Sequence, residues 1–204
     1  MKTFAVAALA ALMTTTEAKL GFGKCKSKVQ YVDNFQPMDY AGKWYEIYRD
    51  KWMPYEISAD CVTQNFVPKE DGTMNLYFRG YYWALLDYMG VNGTMFDCDK
   101  GSKDTWTCQA TMGHYGTKGH HSNIHVLGTD YKNWSALHEC KDHMHGLYHS
   151  EWVTILSRTQ DISDEHHNTA RNLIHSQTPH YDLSSHTMKR TRQEQCDYDW
   201  SLPL

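Results

Sequence analysis

The stretch 40-YAGKWYEIYRDK-51 decides how the fold is read, because it spends a Gly, a Trp and several Tyr on one short extended segment. Alternation along a strand puts Trp44, Glu46 and Tyr48 on one face and Tyr45, Ile47 and Arg49 on the other. A Trp enclosed by a sheet needs a partner for its indole N–H and for its ring face. The stretch 152-WVTILSR-158 offers one in Arg158, since a guanidinium over an indole contributes about 0.5–2 kcal/mol. Gly42 lets the chain bend tightly into the strand. Gly42, Trp44 and Arg158 therefore read as the structural floor of an enclosed β-core.

Working outward, the chain reads as short strands separated by turn signals. Strands are expected over residues 43–49, 61–67, 73–82, 88–96, 104–112, 123–127, 134–140 and 151–157. Glu70-Asp71-Gly72, Lys100-Gly101-Ser102 and Gly128-Thr129-Asp130 supply turns between them. Eight strands at short, fairly regular spacing point to an all-β barrel or sandwich. Ser163-Asp164-Glu165 then looks like a helix start, with a hydroxyl cap and acids in the first turn. Ala170, Leu173 and Ile174 follow at helical spacing to about Ser176, and a polar tail runs on to Cys196. No internal repeat or linker interrupts this order, so residues 19–204 form a single domain.

Residues 1–18, MKTFAVAALAALMTTTEA, combine Lys2, an apolar run and a small-residue exit, which reads as a secretory signal peptide cleaved after Ala18. The run is too short to span a bilayer, and no later segment reaches the ~20 apolar residues a membrane helix needs. The mature chain is expected to be secreted and extracellular, without membrane insertion. A net charge of −4 with no basic block gives no electrostatic reason to hold nucleic acid. Six cysteines in an exported chain point to three disulfides, and the count alone allows fifteen pairings. Two sequons, at Asn92 and Asn133, are expected glycosylation positions.

Three segments carry a family resemblance: Gly42-x-Trp44 with Tyr45, Thr129-Asp130-Tyr131, and Arg158 after the last strand. Together they resemble the signature of the lipocalins, and the resemblance covers nearly all of the mature chain. Within that family, 33-DNFQPMDYAGKWYEI-47, 129-TDYKNWSALHEC-140 and 155-ILSRT-159 are similar to the apolipoprotein D, bilin-binding protein and crustacyanin group. The resemblance implies an eight-stranded antiparallel up-and-down β-barrel with one C-terminal α-helix packed outside. It also implies the pairs Cys25–Cys140 and Cys61–Cys196. Cys98 and Cys108 are left over, flanking a turn, and are inferred to bridge that hairpin.

The implied activity is that of a secreted carrier enclosing a small hydrophobic ligand: a retinoid, carotenoid, bilin, sterol or fatty acid. A bound carotenoid, retinoid or biliverdin is the cofactor class, and the protein is a monomer or homo-oligomer. Alternation anchored on Trp44 and Arg158 gives the cavity candidates Glu46, Tyr48, Trp134, His138, Ile124, Val126, Trp152, Thr154 and Leu156. Phe78 joins them with Leu76 and Gly80, unless the opposite set Tyr77, Arg79 and Tyr81 faces inward. Trp52, Met53 and Tyr55 read as an apolar lid over the cavity mouth.

Eleven of the thirteen histidines lie between His114 and His175. His143 and His145 sit two apart and are the metal candidates, against the plainer reading of scattered solvent-facing imidazoles. The alternative function is therefore a histidine-dependent binder of metal, haem or a biogenic amine. No G-x-S-x-G elbow, P-loop or G-x-G-x-x-G fingerprint is present, so catalysis is not expected. An isomerase route through a free cysteine closes if all six cysteines are paired.

Overall fold

The computed structural model describes residues 20–26, 29–32, 35–54, 56–70, 74–101, 105–113 and 120–198, with backbone alone at 91, 94–101, 105–113 and 120–123. The expected signal peptide, Tyr55 and the sulfurs of Cys98 and Cys108 lie outside this description. The element order is β1 (Leu20–Phe22), α1 (Pro37–Tyr40), β2 (Gly42–Asp50), β3 (Ala59–Pro68), β4 (Met74–Tyr82), β5 (Asp87–Gly101) and β6 (Thr105–Gly113). It continues with β7 (His120–Thr129), β8 (Trp134–His143), a 3₁₀ turn (Met144–Gly146), β9 (Tyr148–Ser157), α2 (Asp164–Gln177) and β10 (Met188–Arg190).

Each strand from β2 to β9 pairs antiparallel with the next, and β2 also pairs with β9 through Tyr45↔Ser157 and Arg49↔Thr154. These strands make one hydrogen-bonded circuit, the arrangement of a barrel that removes its sheet edges. The short strands β1 and β10 are additions, on β9 and β2. All eight expected strands form: six run on by one or more residues, while β4 and β6 are described from Met74 and Thr105. The helix begins as its cap predicts, with Ser163 Oγ accepting from the His166 amide at 3.2 Å.

Both faces of much of the sheet are covered. Inside, Phe35, Tyr40, Trp44, Phe66, Met74, Val126 and Leu156 form one buried cluster. Outside, α2 lays Ala170 and Ile174 against Trp134, Ala136, Val153 and Ile155. Gly128 permits this approach, since a Cβ there would fall 2.4 Å from Leu173 Cδ2.

The expected polar tail forms an ordered strap. Thr191 Oγ1 donates to Glu46 Oε1 at 2.7 Å, and Gln193 Nε2 donates to the carbonyls of Glu46 and Val62. The Cys61–Cys196 disulfide fastens its end across 135 residues, a constraint on the unfolded chain of about 4–5 kcal/mol in loop-entropy terms. Polar residues suit this strap because β2 and β3 present backbone carbonyls to it. Cys25–Cys140 similarly ties the N-terminal segment to β8. Across β5 and β6 the register runs from Phe96↔Gln109 to Asp99↔Thr107, which puts Cys98 and Cys108 at one height on adjacent strands.

Candidate functional site

The floor forms as its residue types require. Gly42 adopts φ +97°, open to glycine at little cost. Trp44 is fully buried, its Nε1 donates to the Tyr40 carbonyl at 3.0 Å, and its ring lies 3.7 Å from the Arg158 guanidinium carbon. The same guanidinium donates to the carbonyls of Tyr131, Lys43, Asp39 and Tyr40. Asp130 fixes the turn before β8 by accepting from the amides of Lys132, Asn133 and Trp134. Partial burial works to raise its carboxyl, but those bonds and the one from the Asn133 side chain outweigh it, and the group sits below the usual range.

Above the floor lies a hollow whose empty space, open solvent at its mouth included, is about 380 Å³. Its apolar wall is Met53, Leu76, Phe78, Ile124, Leu137 and Trp152. Its polar groups are Glu56, Gln64, His138, Glu139 and Thr154. Strand alternation produces most of this set: Leu76 and Phe78 on β4, Leu137 and Glu139 on β8, and Trp152 and Thr154 on β9 each stand two apart.

Of the sequence candidates, Phe78, Ile124, His138, Trp152 and Thr154 line this cavity. Val126 and Leu156 face inward but are spent in the apolar cluster around Trp44. Tyr48, Trp134, Trp52 and Glu46 lie elsewhere and are corrected. Tyr48 faces outward, stacked at 4.3 Å on His167 of α2. The cause is a bulge between Glu46 and Tyr48, where the extra residue reverses the alternation. Trp134 packs under α2, so β8 turns its Trp134–Ala136 face outward and its Leu137–Glu139 face inward. Trp52 is 43% exposed, and Met53 beside it lines the cavity instead.

Glu46 is fully buried, bound by the strap and by Arg49, and is not in the lining. The same bulge brings Arg49 inside, where its Nε stands 3.1 Å from Glu46 Oε1 and 3.2 Å from Glu56 Oε2. The rest of its guanidinium donates to the carbonyls of Asp50, Glu56 and Ala59. Burial first, and the Glu46 charge second, hold the Glu56 carboxyl well above the usual range against the pull of Arg49. Sequence reading missed Glu56, Gln64, Leu137 and Glu139. For β8 the parity of Leu137 with Glu139 was visible, but nothing local said which face the helix would cover.

His138 also borders a second polar group. Its Nε2 meets Glu151 Oε1 at 2.7 Å, and Glu151 Oε2 meets His180 Nε2 at 2.7 Å. His125, stacked on Tyr31 at 4.2 Å, is pushed down to about 4 by burial and by nearby His138. The metal candidates do not converge: His143 bonds Ser150 Oγ and stacks on Tyr148, whereas His145 is exposed in the 3₁₀ turn. Among the described residues no group of three His, Cys, Asp or Glu is placed to hold a metal ion. Both sequon asparagines, Asn92 and Asn133, are exposed.

Comparison with known proteins agrees with this geometry. The profile of the lipocalin / cytosolic fatty-acid binding protein family matches residues 41–194. The chain belongs to the lipocalin family. Apolipoprotein D of Macaca fascicularis is 26% identical over 195 residues, covering 94% of both chains. Purpurin of Gallus gallus is 27% identical over 138 residues, covering 65% of this lipocalin and 69% of purpurin. Among solved structures, insecticyanin of the tobacco hornworm Manduca sexta superposes with a TM-score of 0.71 at 19% identity, covering 85% of this chain and 88% of its own. Apocrustacyanin C1 superposes with a TM-score of 0.68 at 20% identity, covering 89% and 95%. At those identities the structures speak for the fold alone. As a lipocalin, the chain has a scaffold suited to binding small hydrophobic ligands, and no helix among the described residues is long and apolar enough to cross a membrane.

Proposed function

We propose that this lipocalin is a secreted carrier that encloses a small hydrophobic molecule, with pigments of the carotenoid, retinoid or bilin type as leading candidates, and releases it unchanged. The observation that carries the reading is the wall of Met53, Leu76, Phe78, Ile124, Leu137 and Trp152 around an interior cavity. Burying about 400 Å² of apolar ligand surface yields about 10 kcal/mol gross, against an association cost of order 4–15 kcal/mol. Part of the hollow's empty space is open solvent, so a polyene-sized guest has to move side chains. Met53 is the most adaptable of them, with its unbranched thioether. Export is supported by the leader-like residues 1–18 and by the two disulfides, Cys25–Cys140 and Cys61–Cys196. A third bridge, Cys98–Cys108, and glycans on Asn92 and Asn133 belong to the same reading.

The test is an absorption spectrum of protein purified from its source, followed by solvent extraction and mass spectrometry. A visible band that leaves with a polyene or tetrapyrrole supports the pigment version. A colourless protein that yields a lipid keeps the carrier and removes the pigment. An empty protein that takes up no apolar probe overturns both. Replacing His143 and His145 together should leave uptake unchanged, and its abolition would shift the function to the histidines.

A further inference from the structure

An apolar cavity needs no carboxylates, yet this one is bordered by two, Glu56 and Glu139, with Glu46 buried behind them. Among the described residues one guanidinium, Arg49, stands beside these groups, and it is engaged locally. Its Nε faces Glu46 and Glu56, and its terminal nitrogens donate to backbone carbonyls of Asp50, Glu56 and Ala59. Arg49 is not in the cavity lining, so it offers nothing to an anionic guest.

A second observation comes from a different strand. Gln64 lies on β3, on the inward face it shares with Phe66, and is 6% exposed. Its side chain lines the cavity, and its Oε1 has no hydrogen-bond partner. A buried amide carbonyl left unpaired costs about 1–3 kcal/mol, so such an atom is a receptor for a donor that arrives with the ligand.

Resting on the carrier reading above, we infer that the cavity selects amphiphiles whose polar end donates hydrogen bonds, a hydroxyl or an ammonium, with Gln64 Oε1 and the Glu56 carboxyl as the acceptors, and that it disfavours a carboxylate end. The apolar body then lies along Phe78, Ile124 and Trp152. A carboxylate head brings no donor to Gln64 Oε1 and sets acceptor against acceptor, whereas a donor head would fill its open valence.

The experiment titrates the full mature protein with decanol, decylamine and decanoate, which share one chain and differ only at the head, and reads Trp fluorescence and calorimetric heat. Decanol or decylamine should bind on the order of tenfold more tightly than decanoate, the effect of one additional satisfied hydrogen bond. Decylamine above decanol assigns an ammonium, and the reverse assigns a hydroxyl. Gln64→Leu, close in size, should erase the preference. Glu56→Gln should remove any extra preference for decylamine over decanol. Equal binding of all three overturns the inference and leaves the carrier standing, as does tightest binding of decanoate. If none of the three binds, the carrier reading fails and the inference fails with it. The wild-type comparison decides the matter even where a variant does not fold.

Discussion

At the scale of single residues, Arg158 shows how much one side chain can organise. Its planar fork lies over Trp44 and also reaches carbonyls from α1, from β2 and from the turn before β8. Lysine carries the charge but is a point donor on a flexible stem. Arg158→Lys should therefore cost about 2–3 kcal/mol, read as a lower urea midpoint with ligand affinity little changed. His125 makes the complementary case, a group held neutral by burial. Its folded value of about 4 lies below the unfolded value near 6.5, so the unfolded chain takes up the proton first. Its contribution is fully present above about pH 6.5 and is lost as pH falls toward 4. Denaturant titrations across that range should show stability declining with acid in wild type, and His125→Gln should flatten that part of the curve. The depressed carboxyls of Asp130 and Glu151 act lower, as pH falls below the usual carboxylate range.

At the scale of elements, one bulge in β2 sets the chemistry of the site. Without it Tyr48 would point into the cavity and Arg49 into α2. With it, the aromatic ring docks the helix and the guanidinium joins Glu46 and Glu56 inside. Tyr48→Ala should cost about 1–2 kcal/mol of stability through lost packing on His167 and leave ligand affinity unchanged. A change in affinity comparable to that of Trp152→Ala would contradict this division of faces. The C-terminal strap belongs to the same scale. Thr191 and Gln193 satisfy Glu46 and strand carbonyls, so a polar sequence is what this position demands.

At the scale of the whole molecule, the circuit of β2 to β9 makes an interior that α1 and the Trp44 cluster fill at one end and leave hollow further along. Such a hollow couples ligand to stability by mass action. A guest at about 100 times its Kd should stabilise the protein by about 2.7 kcal/mol, which for a domain of this size is a rise in Tm of roughly 5–10 °C. A thermal scan with and without the guest checks this. No shift at saturating guest would mean that binding occurs outside the folded cavity.

The sequence by itself determined the order of the eight main strands and the long helix, the Trp44–Arg158 floor, the cap at Ser163 and the spacing of Trp152 and Thr154. Those features rest on local signals: period-two alternation, turn residues, and a capping hydroxyl beside an acidic first turn. Only the tertiary structure decided which face of each strand looks inward. Trp134 and Leu137 are equally apolar in sequence, and both are buried, one beneath the helix and the other beside the cavity. Where a sheet is covered on both sides, hydrophobicity no longer reports direction, and a single bulged residue reverses every side chain that follows it. Glu56 and Gln64 became legible for the same reason, since a polar residue marks a site only once its neighbours show that it is buried with a valence left open.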